Sequence, residues 1–92
     1  TLLLQALREA LGSRYLLTIA AGDHELVANV ELDEVPAYVD WINLMSYDFF
    51  NSLTPTTGHH AGLYRAEHAL PRDRNTDSAV SQFLAAGVPA RK

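Results

Sequence analysis

Val39 to Asp48, VDWINLMSYD, is the stretch that most restricts the folds open to this chain. Read as a strand, with side chains pointing to opposite faces at a period of two, it sets Trp41, Asn43, Met45 and Tyr47 on one face and Ile42, Leu44 and Ser46 on the other. The second face is aliphatic and suits a covering layer of helix. The first is bulky, carries polar handles and ends beside the carboxylate of Asp48. A strand covered by helices on one side and lining a shared interior or a ligand site on the other has this pattern.

The rest of the chain supplies the partners of such a strand. Leu4, Leu7 and Leu11 recur at helical spacing and Gly12 offers a left-handed stop, which predicts the last turns of an amphipathic helix over residues 1 to 11. Tyr15 to Ala21, YLLTIAA, reads as a first buried strand with Leu17 and Ile19 facing one way and Thr18 and Ala20 the other. Gly22 to Asn29 reads as the loop at its C-terminal end. A short helix over Asp33 to Tyr38 follows, with Asp33 as N-cap. Pro36 then falls at the third helical position, where its missing N–H removes no intrahelical bond. After the second strand, Phe49 to Arg74 is rich in Thr, Pro, Gly, Asn and His, lacks periodicity and reads as a long functional loop. The last element is a helix from about Asp77 to Ala86, capped by Asn75 or Thr76, striped with Val80, Phe83 and Leu84, and ended by Gly87 with Pro89 beyond.

Two strands joined by one compact helical crossover make a βαβ unit, with parallel strands and a right-handed connection. Such a pair is too small to bury both of its faces, because parallel sheets are covered and multi-stranded. The expectation is a piece of a larger α/β fold, cut at both ends, with the rest of that fold as its packing partner. The absence of an initiator Met agrees with it.

Composition removes several function classes. Apolar residues make up 48% and charged ones 20%, an ordinary globular balance that argues against disorder. A formal charge of −4, with no basic cluster interleaved with aromatics, argues against a nucleic-acid partner. The opening TLLLQALREAL is broken by Gln5, Arg8 and Glu9 and has neither the length of a membrane span nor the form of a signal peptide. With no cysteine there is neither a disulfide nor a thiolate metal site. His24, His59, His60 and His68 do not make a metal set either. Adjacent histidines point apart, no carboxylate stands at a helical ligand spacing, and neither metal nor cofactor is expected. A flavodoxin-like crevice would need phosphate-binding glycines at a helix N-terminus, which are not seen.

YVDWINLMSYD, followed by TGHHAGLY and then DSAVSQFLAAGVP, closely resembles the middle of glycoside hydrolase family 18 chitinases, and the similarity runs over nearly all of residues 1 to 92. The Met-x-Tyr-Asp signature within a WIN-type strand, with Thr-Gly-His-His-Ala downstream, carries the resemblance. It implies part of the family's catalytic domain, a fragment of a (β/α)₈ TIM barrel of roughly 250 residues. Residues 15 to 21 would be the fifth strand and 39 to 48 the sixth, flanked by the end of the fourth helix and by the sixth. Sites on such barrels lie at the C-terminal ends of strands, where Met45, Tyr47 and Asp48 fall.

The resemblance further implies retaining, substrate-assisted hydrolysis of the β-1,4 linkages of N-acetylglucosamine polymers, in which the sugar's own N-acetyl carbonyl attacks its anomeric carbon. Tyr47 matches the tyrosine that hydrogen-bonds that carbonyl, and Asp48 a carboxylate contacting the sugar in the same subsite. Met45 would form part of the subsite floor. The implied ligands are chitin or chito-oligosaccharides, which places the parent protein outside the cell. The family's acid closes an Asp-x-x-Asp-x-Asp-x-Glu string that does not occur here and would lie before Thr1, so these residues alone should be inactive. The alternative is a chitinase-like lectin that binds the same sugars without that Glu. Two departures concern the sugar groove. Phe49, Phe50, Asn51, Ser52 and Leu53 stand where the family often has Phe-His-Gly and then Trp, and Gly62 where it often has Pro.

Overall fold

The computed structural model describes residues 1–92, the side chain of Leu26 excepted. Helix α1 (Leu2–Leu11) leads into strand β1 (Thr18–Ala21). Helix α2 (Glu25–Asn29) and a 3₁₀ turn (Val35–Ala37) then lead to strand β2 (Trp41–Leu44), and helix α3 (Thr76–Ala85) follows a long irregular segment. The strands are parallel and in register, Thr18 beside Trp41, Ile19 beside Ile42, Ala20 beside Asn43 and Ala21 beside Leu44.

Pairing in that register assembles two dissimilar faces. Ala21, Leu32, Phe83 and Val88 form the core, and Ile42 and Leu44 pack against it from the sheet. Thr18, Ala20, Trp41 and Asn43 share the opposite face, on which Trp41 remains 41% exposed. Asn43 is exposed on the same face. Its groups are nevertheless used: Nδ2 donates to the Ile19 carbonyl at 3.3 Å, and Oδ1 accepts from Trp41 Nε1 at 3.1 Å.

Three local expectations are corrected. The reading of Gly22 to Asn29 as a loop missed α2, five residues long and too short to show helical periodicity. The expected helix at Asp33 to Tyr38 is a single 3₁₀ turn beginning after Glu34, with Pro36 and Val35 buried. There the proline sits in the first turn, where its missing donor is harmless, but the turn does not propagate. Both strands are also shorter than their apolar runs. Ser46 N–H turns back to the Leu44 carbonyl at 3.0 Å, a γ-type turn that ends β2, while the in-out alternation of exposure continues through Tyr47.

The ends of α3 follow their sequence signals closely. Asn75 Oδ1 accepts from Ser78 N–H at 2.8 Å while Ser78 Oγ accepts from Asn75 N–H, a reciprocal capping box. At the other end Val88 N–H reaches the Phe83 carbonyl and Gly87 N–H the Leu84 carbonyl, a Schellman closure with Gly87 at φ 98°. The cap is worth about 1 kcal/mol, whereas burying a side chain such as Phe83 is worth about 3–5 kcal/mol against Ala. Packing therefore holds α3 in place, and the caps set where it starts and stops.

At the N-terminal ends of the strands one cation joins three segments. Arg8 donates to the Tyr15 and Tyr38 carbonyls and pairs with Asp40 Oδ2 at 2.6 Å, and the same carboxylate oxygen accepts from Leu17 N–H at 2.7 Å. The Leu17 N–H, with Arg8 next, holds the Asp40 carboxyl below its ordinary value of 3.8. A carboxyl depressed on folding contributes stability above the ordinary carboxylate range and loses it as pH falls through the folded value. In the intact barrel, Asp40→Asn is therefore expected to lower Tm at neutral pH. The gap from wild type should close only below pH 3.8, the ordinary value of this carboxyl. Thermal unfolding as a function of pH measures this, and a gap that does not change with pH would contradict it.

Candidate functional site

Met45, Tyr47 and Asp48 leave the C-terminal end of β2 together. Met45 N–H still donates to the Ala21 carbonyl at 2.8 Å, so the first of them is tied to β1. Met45 and Tyr47 are exposed on the same side as Trp41 and Asn43, Tyr47 by 49%. Asp48 adopts φ 56°, a left-handed conformation uncommon outside glycine and tolerated by Asp. The turn it makes sends the chain away from the sheet and buries Phe49.

What holds this turn lies far along the chain. Phe49 N–H donates to the His60 carbonyl at 3.0 Å, and His60 Nδ1 stands 3.5 Å from Asp48 Oδ1. Arg74 Nη1 pairs with Asp23 Oδ1 at 2.7 Å, and its Nη2 donates to the Asp48 carbonyl at 3.2 Å. The turn after β1 and the turn after β2 are thereby joined by one guanidinium. Asp23, His24, Phe49, Phe50, Pro55 and Arg74 line an open groove of about 500 Å³ beside it. Met45, Tyr47 and Asp48 do not line that groove; all three are exposed, Met45 and Tyr47 in the alternation that starts on the uncovered side of the sheet.

The long segment after β2 has no regular element but is locally built. Asn51 accepts from Leu53 N–H in an Asx-type turn. Gly58 lies directly under the Phe50 ring, where a Cβ would come within 2.5 Å of ring carbons. Thr76 and Asp77 N–H groups donate to the Gly62 and Leu63 carbonyls, docking the segment on the start of α3. His59 and His60 do not gather further ligands. Among the described residues no group of three or more His, Asp or Glu is arranged to hold a metal ion.

Asp23 and Arg74 were not singled out by the sequence reading. A Gly-Asp pair after a strand is a common turn, and Arg74 sits in a stretch with Arg72 and Asp73 that reads as solvated surface. Only the small-residue close of β1, Ala20-Ala21-Gly22, hinted that something packs tightly there.

A parallel βαβ unit with exposed polar and aromatic groups beyond the C-terminal end of a strand, and with its other face packed on the core, is a portion of a larger α/β fold. The family model for glycosyl hydrolases family 18 matches residues 1–92, and the chain belongs to that family. Chitotriosidase-1 of Mus musculus is 45% identical over 83 residues, covering 86% of this chain and 18% of the relative. Chitinase A1 of Niallia circulans is 42% identical, covering 100% of this chain and 15% of the relative. The chitinase domain of the spore coat protein CotE from Clostridium difficile superposes with a TM-score of 0.87 at 33% identity, over 99% of this chain and 27% of that one. The chain thus spans less than a quarter of the curated relatives it matches, and its fold is a fragment of the (β/α)₈ barrel of such domains.

Proposed function

We propose that residues 1–92 are the fifth-strand to sixth-strand portion of a family 18 chitinase barrel continuing on both sides of it, and that the whole barrel hydrolyses β-1,4 linkages in chitin or chito-oligosaccharides. The observation that carries this reading is the joint exposure of Met45, Tyr47 and Asp48 just beyond the C-terminal end of β2. The other edge of β2 supports it. Met45 N–H points to β1 whereas Ile42 N–H, an odd number of residues away, points to the opposite edge and donates to the Lys92 carbonyl at 2.7 Å. A next parallel strand beginning there extends the sheet toward closure.

In this reading Tyr47 donates its hydroxyl to the acetamido carbonyl of the bound sugar and holds it in line with the anomeric carbon. Positioning of that kind, together with a donor aimed at developing charge, is a large share of the rate enhancement such sites provide. Asp48 contacts the sugar in the same subsite, with His60 beside it, and Met45 forms part of the floor. The proton for the leaving oxygen comes from a Glu on another strand, so residues 1–92 alone do not hydrolyse. The substrate implies an extracellular setting.

The test is a ¹H NMR time course of chitotetraose cleavage by a complete barrel that includes these residues. Retention requires the β-anomer of the product to appear first, followed by mutarotation. An α-anomer first would overturn the substrate-assisted mechanism, and binding without cleavage would assign the lectin role instead.

A further inference from the structure

We propose that Arg74 is a positioning residue for the sugar-contacting end of β2, acting through the backbone of Asp48; the link to chemistry rests on the function proposed above. Three observations meet at this side chain. Its Nη1 is 2.7 Å from Asp23 Oδ1, its Nη2 donates to the Asp48 carbonyl at 3.2 Å, and its Cζ lies 5.3 Å from the centre of the Phe49 ring. The guanidinium therefore touches the turn after β1, the strained residue after β2 and the buried aromatic that follows it.

Each end of this bridge is anchored. The Asp23 side chain is only 4% exposed, and its Oδ2 is buried with no partner among the described residues, so Arg74 is the charge that compensates it. Arg74 directly precedes Asn75, the buried N-cap of α3, and so shares the fixed position of that helix terminus. Between the anchors lies Asp48 at φ 56°, a conformation that persists where surrounding contacts over-determine it. Holding the Asp48 carbonyl fixes the peptide plane after it and the direction in which the Asp48 and Tyr47 side chains leave the strand.

Lysine cannot replace this geometry. It keeps a point charge for Asp23 but lacks the planar fork that addresses two acceptors at once. Arg74→Lys in the complete barrel therefore separates positioning from stability, while Arg74→Met, which leaves the Asp23 carboxylate buried and unpaired, is the destabilised comparison.

The Lys variant is expected to keep the Tm of wild type, to exchange the amide hydrogens of residues 46–52 roughly tenfold faster, as for one lost hydrogen bond, and to lower kcat on chitotetraose roughly tenfold with KM within about twofold. Hydrogen exchange read by mass spectrometry needs no sugar, so it reports on the inference even if wild type proves inactive; an inactive wild type counts against the proposed function alone. Wild-type exchange in that segment overturns the inference, and so does an unchanged kcat in an active barrel. A Tm that falls as far in Arg74→Lys as in Arg74→Met overturns it too, by assigning Arg74 a structural role only.

Discussion

Tyr47→Phe in the complete barrel is expected to lower kcat on N-acetylated chito-oligomers by roughly tenfold to a thousandfold, the range for loss of one donor used in the transition state. The substitution removes a single oxygen and keeps the ring, so it opens no sizeable cavity and should leave Tm little changed. Packing and chemistry are thereby separated at one atom. If the hydroxyl acts on charge that develops only as the acetamido carbonyl attacks, kcat and kcat/KM fall together and KM moves little. A raised KM with unchanged kcat would mean that Tyr47 only binds. Turnover equal to wild type would remove it from the site.

The second large effect concerns residues 1–92 by themselves, which are not expected to fold cooperatively. Their radius of gyration is 15.2 Å, against about 12 Å for a compact chain of this length. They expose 6500 Å², against about 5,300 Å² for a compact monomer of the same mass. Large apolar side chains contribute to it. No residue of α1 is buried, Leu2 and Leu3 are open to solvent, and Trp41, Met45 and Tyr47 lie bare on one side of the sheet. The core that remains, built on Ala21, Leu32, Phe83 and Val88, has to offset the backbone entropy of the whole chain. A broad, non-cooperative melt by circular dichroism, or self-association through the bare face, is the expected result. A sharp transition of a monomer, checked by sedimentation, would show that the unit is stable without the barrel.

The placement of Met45 and Tyr47 was legible in the sequence because its signal is local, whereas reading them and Asp48 as sugar-contacting residues rested on the resemblance to family 18 chitinases. A period of two in one short run put the first two on a common face, and the exposure pattern through Tyr47 follows it beyond the last paired residue of β2. The α3 termini were legible for the same reason, since Asn75, Ser78 and Gly87 act on backbone groups within a few residues of themselves. Where local signals were short or in conflict the reading failed. Five residues of α2 do not complete two turns, and Pro36 admits a 3₁₀ turn as readily as a helix.

By itself, then, the sequence determined the two strands, α1 and α3, the two faces of β2 and the position of Tyr47 and Asp48 beyond its end, because each depends on neighbours along the chain. The tertiary structure alone decided which charges meet. Arg8 with Asp40 and Arg74 with Asp23 are pairs 32 and 51 residues apart. Seven cations and eleven carboxylates leave many such pairings open, and none has a spacing that marks it in advance. Only the parallel register of β1 and β2, with α3 packed across them, brings Asp23, Asp48 and Arg74 to one end of the sheet.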